Sequence, residues 1–218
     1  MSLAEFVWET TFNGYTPDEP WHTLRGGDRH WYEASADFAK RYLRPTGERK
    51  LLCVASPILE ARELEAAGWE VAYLDVRKPP KVVNWIEGDA AQMPFEAHSF
   101  DALSSSCVVC HVGLGRYGDA KRERGDVDML RECARVLKPG ALAQITLPVC
   151  DTDRVQRVGS CHRVYPVDVA MDMAEAAGFA VERCAIWDTK RARWMHEGEP
   201  ISGNLSSPDN MSMLLRAS

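Results

Sequence analysis

Between Phe100 and Leu147 the sequence spells a strand, a helix and a second strand almost without gaps. S-F-D-A-L-S-S-S rises from a turn-prone Glu96-Ala-His-Ser99, and R-E-C-A-R-V-L-K-P-G follows. In Asp126–Leu137, residues Leu130, Cys133, Ala134 and Leu137 fall at i, i+3, i+4 and i+7, one face of a helix. Lys138 suits the negative end of the helix dipole, and Pro139-Gly140 cannot continue it. An apolar run, Ala141–Leu147, then reads as a strand. Two strands joined through a helix lie parallel in one sheet, and ligands bind beyond the carboxyl ends of such strands.

The rest of the chain repeats this alternation. Lys50–Ala55, Trp69–Asp75, Val82–Ile86, Phe100–Ser105, Ala141–Leu147, Ala180–Trp187 and Met211–Arg216 are predicted strands. Ile58–Ala67, stopped by Gly68, and a helix started by Pro166 and running to Ala177 stand between them. The expected fold is α/β: a Rossmann-like, doubly wound, mainly parallel seven-stranded sheet with helices on both faces. The helix at 58–67 should turn Leu59 toward that sheet.

Residues 1–47 differ in character. Trp8, Phe12, Tyr15, Trp21, Trp31, Tyr32 and Phe38 crowd a segment broken by Pro17, Pro20 and Gly26-Gly27. Trp31, Ala34, Phe38 and Tyr42 lie on one helical stripe over 31–43. The expected division is an aromatic extension or lid over 1–47 and a catalytic-type domain over 48–218.

A net charge of −6 argues against a nucleic-acid partner, because phosphate binding needs clustered cations. The clusters Arg116/Lys121/Arg122/Arg124 and Lys190/Arg191/Arg193 read as solvated loop charge. No run approaches 18 apolar residues, and the amino terminus lacks the features of an export signal, so a cytoplasmic protein without a membrane span is expected. Of the seven cysteines, Cys53, Cys133 and Cys184 have apolar neighbours and are expected to be buried thiols. Cys107-Val-Val-Cys110-His111 spells a haem-attachment pattern, but nothing else supports that reading. A zinc site from Cys107, Cys110, Cys161 and His162 would need two strand ends to meet; buried thiols are the simpler reading, and no metal is expected.

Asp75 closes V-A-Y-L-D, about 20 residues after the first strand–helix turn, where a carboxylate can accept from ribose hydroxyls. Asp89 with Ala90, in E-G-D-A-A-Q-M-P-F, pairs an acid with a small residue that could hold the edge of an adenine. Either acid could instead cap a turn.

L-L-C-V-A, V-A-Y-L-D, G-D-A-A-Q-M-P-F, S-F-D-A-L-S-S-S and R-V-L-K-P-G, in this order over residues 48–187, resemble the class I S-adenosylmethionine-dependent methyltransferases. The resemblance implies S-adenosylmethionine as cofactor, with Ala55, Ser56, Asp75, Asp89, Ala90 and Ser105 as its contacts. The chain departs from the family at the first turn. Cys53 stands where an acid is usual, and Ala55, Pro57 and Leu59 stand where glycines are usual. Glycine there allows φ > 0 and close backbone approach, and Pro57 removes a donor.

His111-Val-Gly-Leu-Gly-Arg-Tyr-Gly-Asp119 resembles a signature of a less characterised methyltransferase-like group, which also carries a later H-R-x-Y, here His162-Arg163-Val-Tyr165. That match implies Arg116, Tyr117 and Arg163 at a small-molecule substrate, with His111, and second to it His162, as proton acceptors. The expected function is methyl transfer to a small polar, or acidic, acceptor. The alternative is a methyltransferase fold that has lost methyl transfer and serves as a binding or scaffold subunit, or reuses the pocket.

Overall fold

The buried apolar runs pair side by side, so their main-chain groups are satisfied within the sheet and both faces must be covered. The computed structural model describes residues 26–77, 84–201, 203 and 208–218. Its elements are α1 (Gly26–Tyr42), β1 (Lys50–Val54), α2 (Ile58–Ala66), β2 (Glu70–Asp75), β3 (Trp85–Glu87), β4 (Phe100–Ser106), α3 (Gly125–Val136), β5 (Leu137–Val149), β6 (Gln156–Val158), β7 (His162–Val164), α4 (Val167–Ala176), β8 (Phe179–Asp188), β9 (Arg193–Trp194) and β10 (Asp209–Ala217).

The main sheet has eight strands in the order β3-β2-β1-β4-β5-β10-β8-β9. The ladders from β3 to β5 are parallel, and β10 enters antiparallel between β5 and β8. The order reverses at β1/β4, the switch point where open α/β sheets form their crevice. The α/β class holds, and the strand count exceeds the expected seven because Arg193–Trp194 adds an edge. A separate hairpin, β6–β7, lies in the expected gap between β5 and α4. At three residues each, its strands are too short to leave a clear alternation in the sequence.

Residues 1–25 and 78–83 carried two expectations, the start of the aromatic extension and the start of the third strand, which lie outside the described residues. The part of the extension that is described, α1, packs on the sheet: Trp31, Phe38, Ala39 and Leu43 are buried, the last three beside Leu51, Leu64 and Trp69. Ser35 rather than Ala34 is the buried member of its stripe. On the opposite face, Leu103, Met129, Leu130, Ile145 and Leu147 centre the larger cluster. Cys53 and Cys133 are buried thiols as expected, whereas Cys184 is exposed because the outer face of β8 from Glu182 to Cys184 is uncovered. Leu59 is only half-buried; Ile58, Glu60, Ala61 and Leu64 are the residues α2 turns inward. Among the described residues no helix is long and apolar enough to cross a membrane.

Candidate functional site at the carboxyl ends of the strands

The first turn keeps a glycine-like shape without glycine. Ala55 adopts φ 45°, in the left-handed region, and its N–H donates to Leu74 O at 2.7 Å. Pro57 caps α2 with φ −52°, so its missing donor falls where a helix start leaves N–H groups without intrahelical partners. Ser56 is buried and committed to the fold: its Oγ accepts from Ser106 N at 2.9 Å and reaches Ser104 O at 3.3 Å. Ser105 Oγ donates back to Val54 O at 3.3 Å. Both hydroxyls expected at the cofactor are thus spent within the sheet.

One step along α2, Glu60 is wholly buried. Its carboxylate accepts from Ser104, from Ser106 at 2.5 Å and from Ser35 at 3.2 Å. Gln144 completes the cluster: its Oε1 lies 2.6 Å from Ser104 Oγ, and its amide donates to Ser35 Oγ at 2.9 Å. Burial pushes the Glu60 carboxyl above its usual range, and the hydroxyl bonds oppose the shift. The thiol of Cys53 is pushed up by burial first and by Glu60 second, so the chain has an acid beside the position where the family acid is missing. Sequence reasoning passed over Glu60. The available signal was an acid four residues before Leu64, on the apolar stripe of α2.

On the other side of β1, Asp75 ends β2 almost buried, and its Oδ1 accepts from Arg77 N at 3.0 Å. Burial raises its pKa, against the backbone bond and the Arg77 charge. Asp89 follows β3 with Oδ1 on Ala91 N at 2.8 Å and Arg122 at 3.6 Å from its Oδ2, while Ala90 is buried beneath it. Asp75 and Asp89 therefore stand at the ends of neighbouring strands, and Ala55 keeps the turn that a cofactor must approach. These residues fit the adenosine half of S-adenosylmethionine.

The glycine-rich loop is held by one carboxylate. Asp119 accepts from Gly113 N at 2.8 Å, Gly115 N at 3.2 Å and Tyr117 N at 3.2 Å. Gly113 and Gly125 pass backbone to backbone; a β-carbon on Gly113 would lie 2.6 Å from Arg122 O, and one on Gly125 would lie 2.7 Å from Gly113 Cα. This anchored loop presents His111, Arg116 and Tyr117 beside the β6–β7 hairpin. His111 stacks edge-on against Tyr117 and His162, with centroids 5.4 and 6.1 Å away. Its Nδ1 lies 2.6 Å from Cys161 O; a carbonyl only accepts, so Nδ1 carries the proton and Nε2 the lone pair. Burial lowers its pKa to about 3, helped by the nearby Arg116 and His162 and opposed by the bond to Cys161, so the ring is neutral. Arg116 bonds Cys161 Sγ at 2.8 Å and its carbonyl at 3.2 Å. His162 Nδ1 contacts the same sulfur at 3.3 Å.

Arg163 is placed differently. It is buried, donates to Val112 O at 2.8 Å and sits 3.4 Å from Asp126, tying the loop to the start of α3. Tyr165 donates to the same Asp126 at 3.1 Å. The structure thus brings together His111, His162, Arg116 and Tyr117, and gives Arg163 a holding position. Among the described residues no three potential metal ligands group together around Cys107, Cys110, Cys161 and His162 or elsewhere.

Arg77 joins the two halves: it lies 3.9 Å from Asp75 and 4.3 Å over the Tyr117 ring. Asp75 at the end of β2 and Tyr117 of the glycine loop are therefore joined through one guanidinium.

The family model described as methyltransferase domain matches residues 61–145, the stretch that carries α2, Asp75, Asp89, β4 and the glycine loop. Over those residues the chain is similar to methyltransferase domains, and its fold is that of the class I methyltransferases. A curated relative, demethylmenaquinone methyltransferase of Chlorobaculum tepidum, is 28% identical over an alignment of 142 residues that covers 61% of this chain; the match spans about half (54%) of that relative's length. Among solved structures, 1,6-didemethyltoxoflavin-N1-methyltransferase of Burkholderia thailandensis, with bound 1,6-didemethyltoxoflavin and S-adenosylhomocysteine, is similar at a TM-score of 0.64 and 13% identity, covering 100% of this chain and 92% of that one. The 4+2 cyclase SpnF is similar at a TM-score of 0.63 and 14% identity, covering 93% and 85%. The methyltransferase fold thus hosts more than one chemistry among its likenesses, and the site must decide the reaction.

Proposed function

We propose that this methyltransferase domain uses S-adenosylmethionine to methylate a small polar acceptor, with His111 taking the acceptor's proton. The observation that carries the reading is the Arg77 bridge between Asp75 and Tyr117, which sets a nucleoside-binding acid against the loop that bears His111. The cofactor would supply an activated methyl on a sulfonium centre. Asp75 would accept from ribose hydroxyls, and Asp89 with Ala90 would hold the adenine edge. Cofactor contacts from Ala55, Ser56 and Ser105 would come through backbone, since both serine hydroxyls already bond within the fold. The α1 helix would act as a lid over the acceptor.

The bound cofactor would give up its methyl to a lone pair of the acceptor and would keep the electron pair of the broken carbon–sulfur bond as a thioether, and the chain's residues would hold the acceptor in line. The acceptor's proton passes to Nε2 of His111, directly or, second, to His162. A His111 pKa of about 3 makes a weak base, yet a methylated hydroxyl that still holds its proton is a far stronger acid than imidazolium. The protein's main work is alignment of nucleophile and methyl. Small-molecule acceptors also fit the demethylmenaquinone and 1,6-didemethyltoxoflavin methyltransferases to which the chain is similar.

A second reading is a methyltransferase fold that binds or scaffolds without methyl transfer. It is favoured by the internal commitment of Ser56, Ser105 and Glu60, which removes side-chain contacts from the methionine end. Calorimetric titration with S-adenosylhomocysteine separates the two. Micromolar binding supports methyl transfer; absence of heat up to several hundred micromolar ligand leaves the second reading.

A further inference from the structure

Among the described residues, three buried hydrogen-bond donors without partners gather on one side of the sheet: Trp31 Nε1, Trp187 Nε1 and Ser212 Oγ. Their residues are 4%, 7% and 0% exposed. The side is fixed by the period of two along each strand. Ala185 on β8 and Leu214 on β10 face the cluster beneath α1, so Trp187 and Ser212, two residues away from them, face α1 as well. Trp31 comes down from α1 with its ring centroid 6.4 Å from Trp187 and 6.1 Å from Trp194, and the last two are 5.3 Å apart. The three donors share one patch walled by three indoles.

The patch reaches the carboxyl end of β4. Ser212 pairs across the sheet with Thr146, whose Oγ1 accepts from Cys107 N at 2.9 Å, and Trp187 pairs with Asn210, whose Oδ1 is 3.4 Å from Cys107 Sγ. Cys107 is the first residue beyond β4 and holds φ 57°, a conformation that side chains rarely adopt.

Each buried donor left without an acceptor costs roughly a factor of ten or more in the folding equilibrium. Groups of this kind in a native protein call for an explanation, and a patch of them at a strand end points to a ligand. An indole N–H can only donate, so the missing partners are acceptors. The indole walls favour a flat, apolar body. A carboxylate would need a cation to offset its desolvation, and Arg193 on the neighbouring strand is already paired with Glu199 at 2.8 Å.

We propose that Trp31, Trp187 and Ser212 form the acceptor subsite, and that it takes a neutral, planar aromatic molecule bearing carbonyl-type oxygens. This deepens the methyl-transfer reading and rests on it for the word acceptor; the binding itself is independent of it.

Three probes test the class by calorimetry on the full chain: quinazoline-2,4-dione, a flat bicycle with two carbonyls; naphthalene, without oxygens; and 2-naphthoate, with a charge. The dione should bind at least tenfold more tightly than either other probe. Ser212→Ala should weaken dione binding about tenfold, which corresponds to ~1.4 kcal/mol, and leave S-adenosylhomocysteine affinity unchanged. The same variant should melt about 2–4 °C higher without ligand, since it deletes a donor that has no partner. Trp187→Phe, which keeps a ring and removes the N–H, should weaken the dione similarly. Equal binding of naphthalene or naphthoate, no dione binding, or a dione affinity indifferent to Ser212→Ala overturns the proposal, as does a crystal structure in which water alone meets the three donors while the dione sits elsewhere. S-adenosylhomocysteine is titrated in parallel: dione without S-adenosylhomocysteine keeps the subsite and removes methyl transfer, and the reverse result does the opposite.

Discussion

Ser106 Oγ donates to the Glu60 carboxylate at 2.5 Å, joining the end of β4 to the first turn of α2 inside the protein. Ser35 from α1 and Ser104 bond the same group, so one carboxyl links three elements around the first turn. Glu60→Ala should leave these hydroxyls without their acceptor and cost about 2–4 kcal/mol in urea unfolding. A loss under 1 kcal/mol would mean the cluster contributes little.

The same carboxyl has a pH signature. Burial raises its folded pKa above the ordinary 4.5. Between 4.5 and that raised value the folded state keeps a proton that the unfolded chain has released, so stability falls as pH rises through the window. Glu60→Gln should remove this decline. Denaturation curves at pH 4.5, 6 and 7.5 for both proteins check it, and parallel profiles would refute it.

His111 acts with the opposite sign. Its folded pKa of about 3 lies below the ordinary 6.5, so the unfolded state binds the extra proton and stability drops as pH falls from 6.5 toward 3. His111→Gln should flatten that acid limb. If the histidine accepts a proton in turnover, the variant should also lower kcat by about 100-fold, while the wild-type rate shows no limb near pH 6.5 from this residue.

Ala55 holds φ 45°. Left-handed backbone costs an alanine roughly 1–2 kcal/mol, partly offset by the extra unfolded-state freedom of glycine. Ala55→Gly should therefore be neutral or stabilising by up to about 1 kcal/mol, read from the urea midpoint. A clear destabilisation would show that the turn depends on the methyl group.

Gly125→Ala should be severe, about 3 kcal/mol or more, because its β-carbon would meet backbone at Val112 and Gly113 with nothing soft to yield. Proteolysis of the 111–119 loop in native protein offers an independent readout, with faster cleavage expected in the variant.

The strands and α3 were legible because buried parallel strands are nearly continuous apolar runs and because Leu130, Cys133 and Ala134 keep the helical period; Pro139-Gly140, expected to stop the helix, lie instead inside β5, which starts at Leu137 directly after the helix. Asp75 and Asp89 were legible because topology alone sets strand ends side by side. The β6–β7 hairpin and the β9 edge were not, since two- and three-residue strands leave no periodic trace. Glu60 was missed because its partners, Ser35, Ser104 and Ser106, lie 25 to 46 residues away, and no local pattern announces a contact of that span. Arg163 shows the limit of motif reading: the resemblance of His162-Arg163-Val-Tyr165 to an H-R-x-Y signature implied a substrate contact, whereas its guanidinium bonds Val112 O and sits beside Asp126.

The three amide bonds that Asp119 accepts determine the backbone of the glycine loop without reference to the side chains at 116 and 117. Those two positions are therefore exchangeable: a different cation or ring can be mounted there while the loop keeps its course. The course of the loop thus depends on the aspartate and the glycine crossing rather than on the side chains it carries.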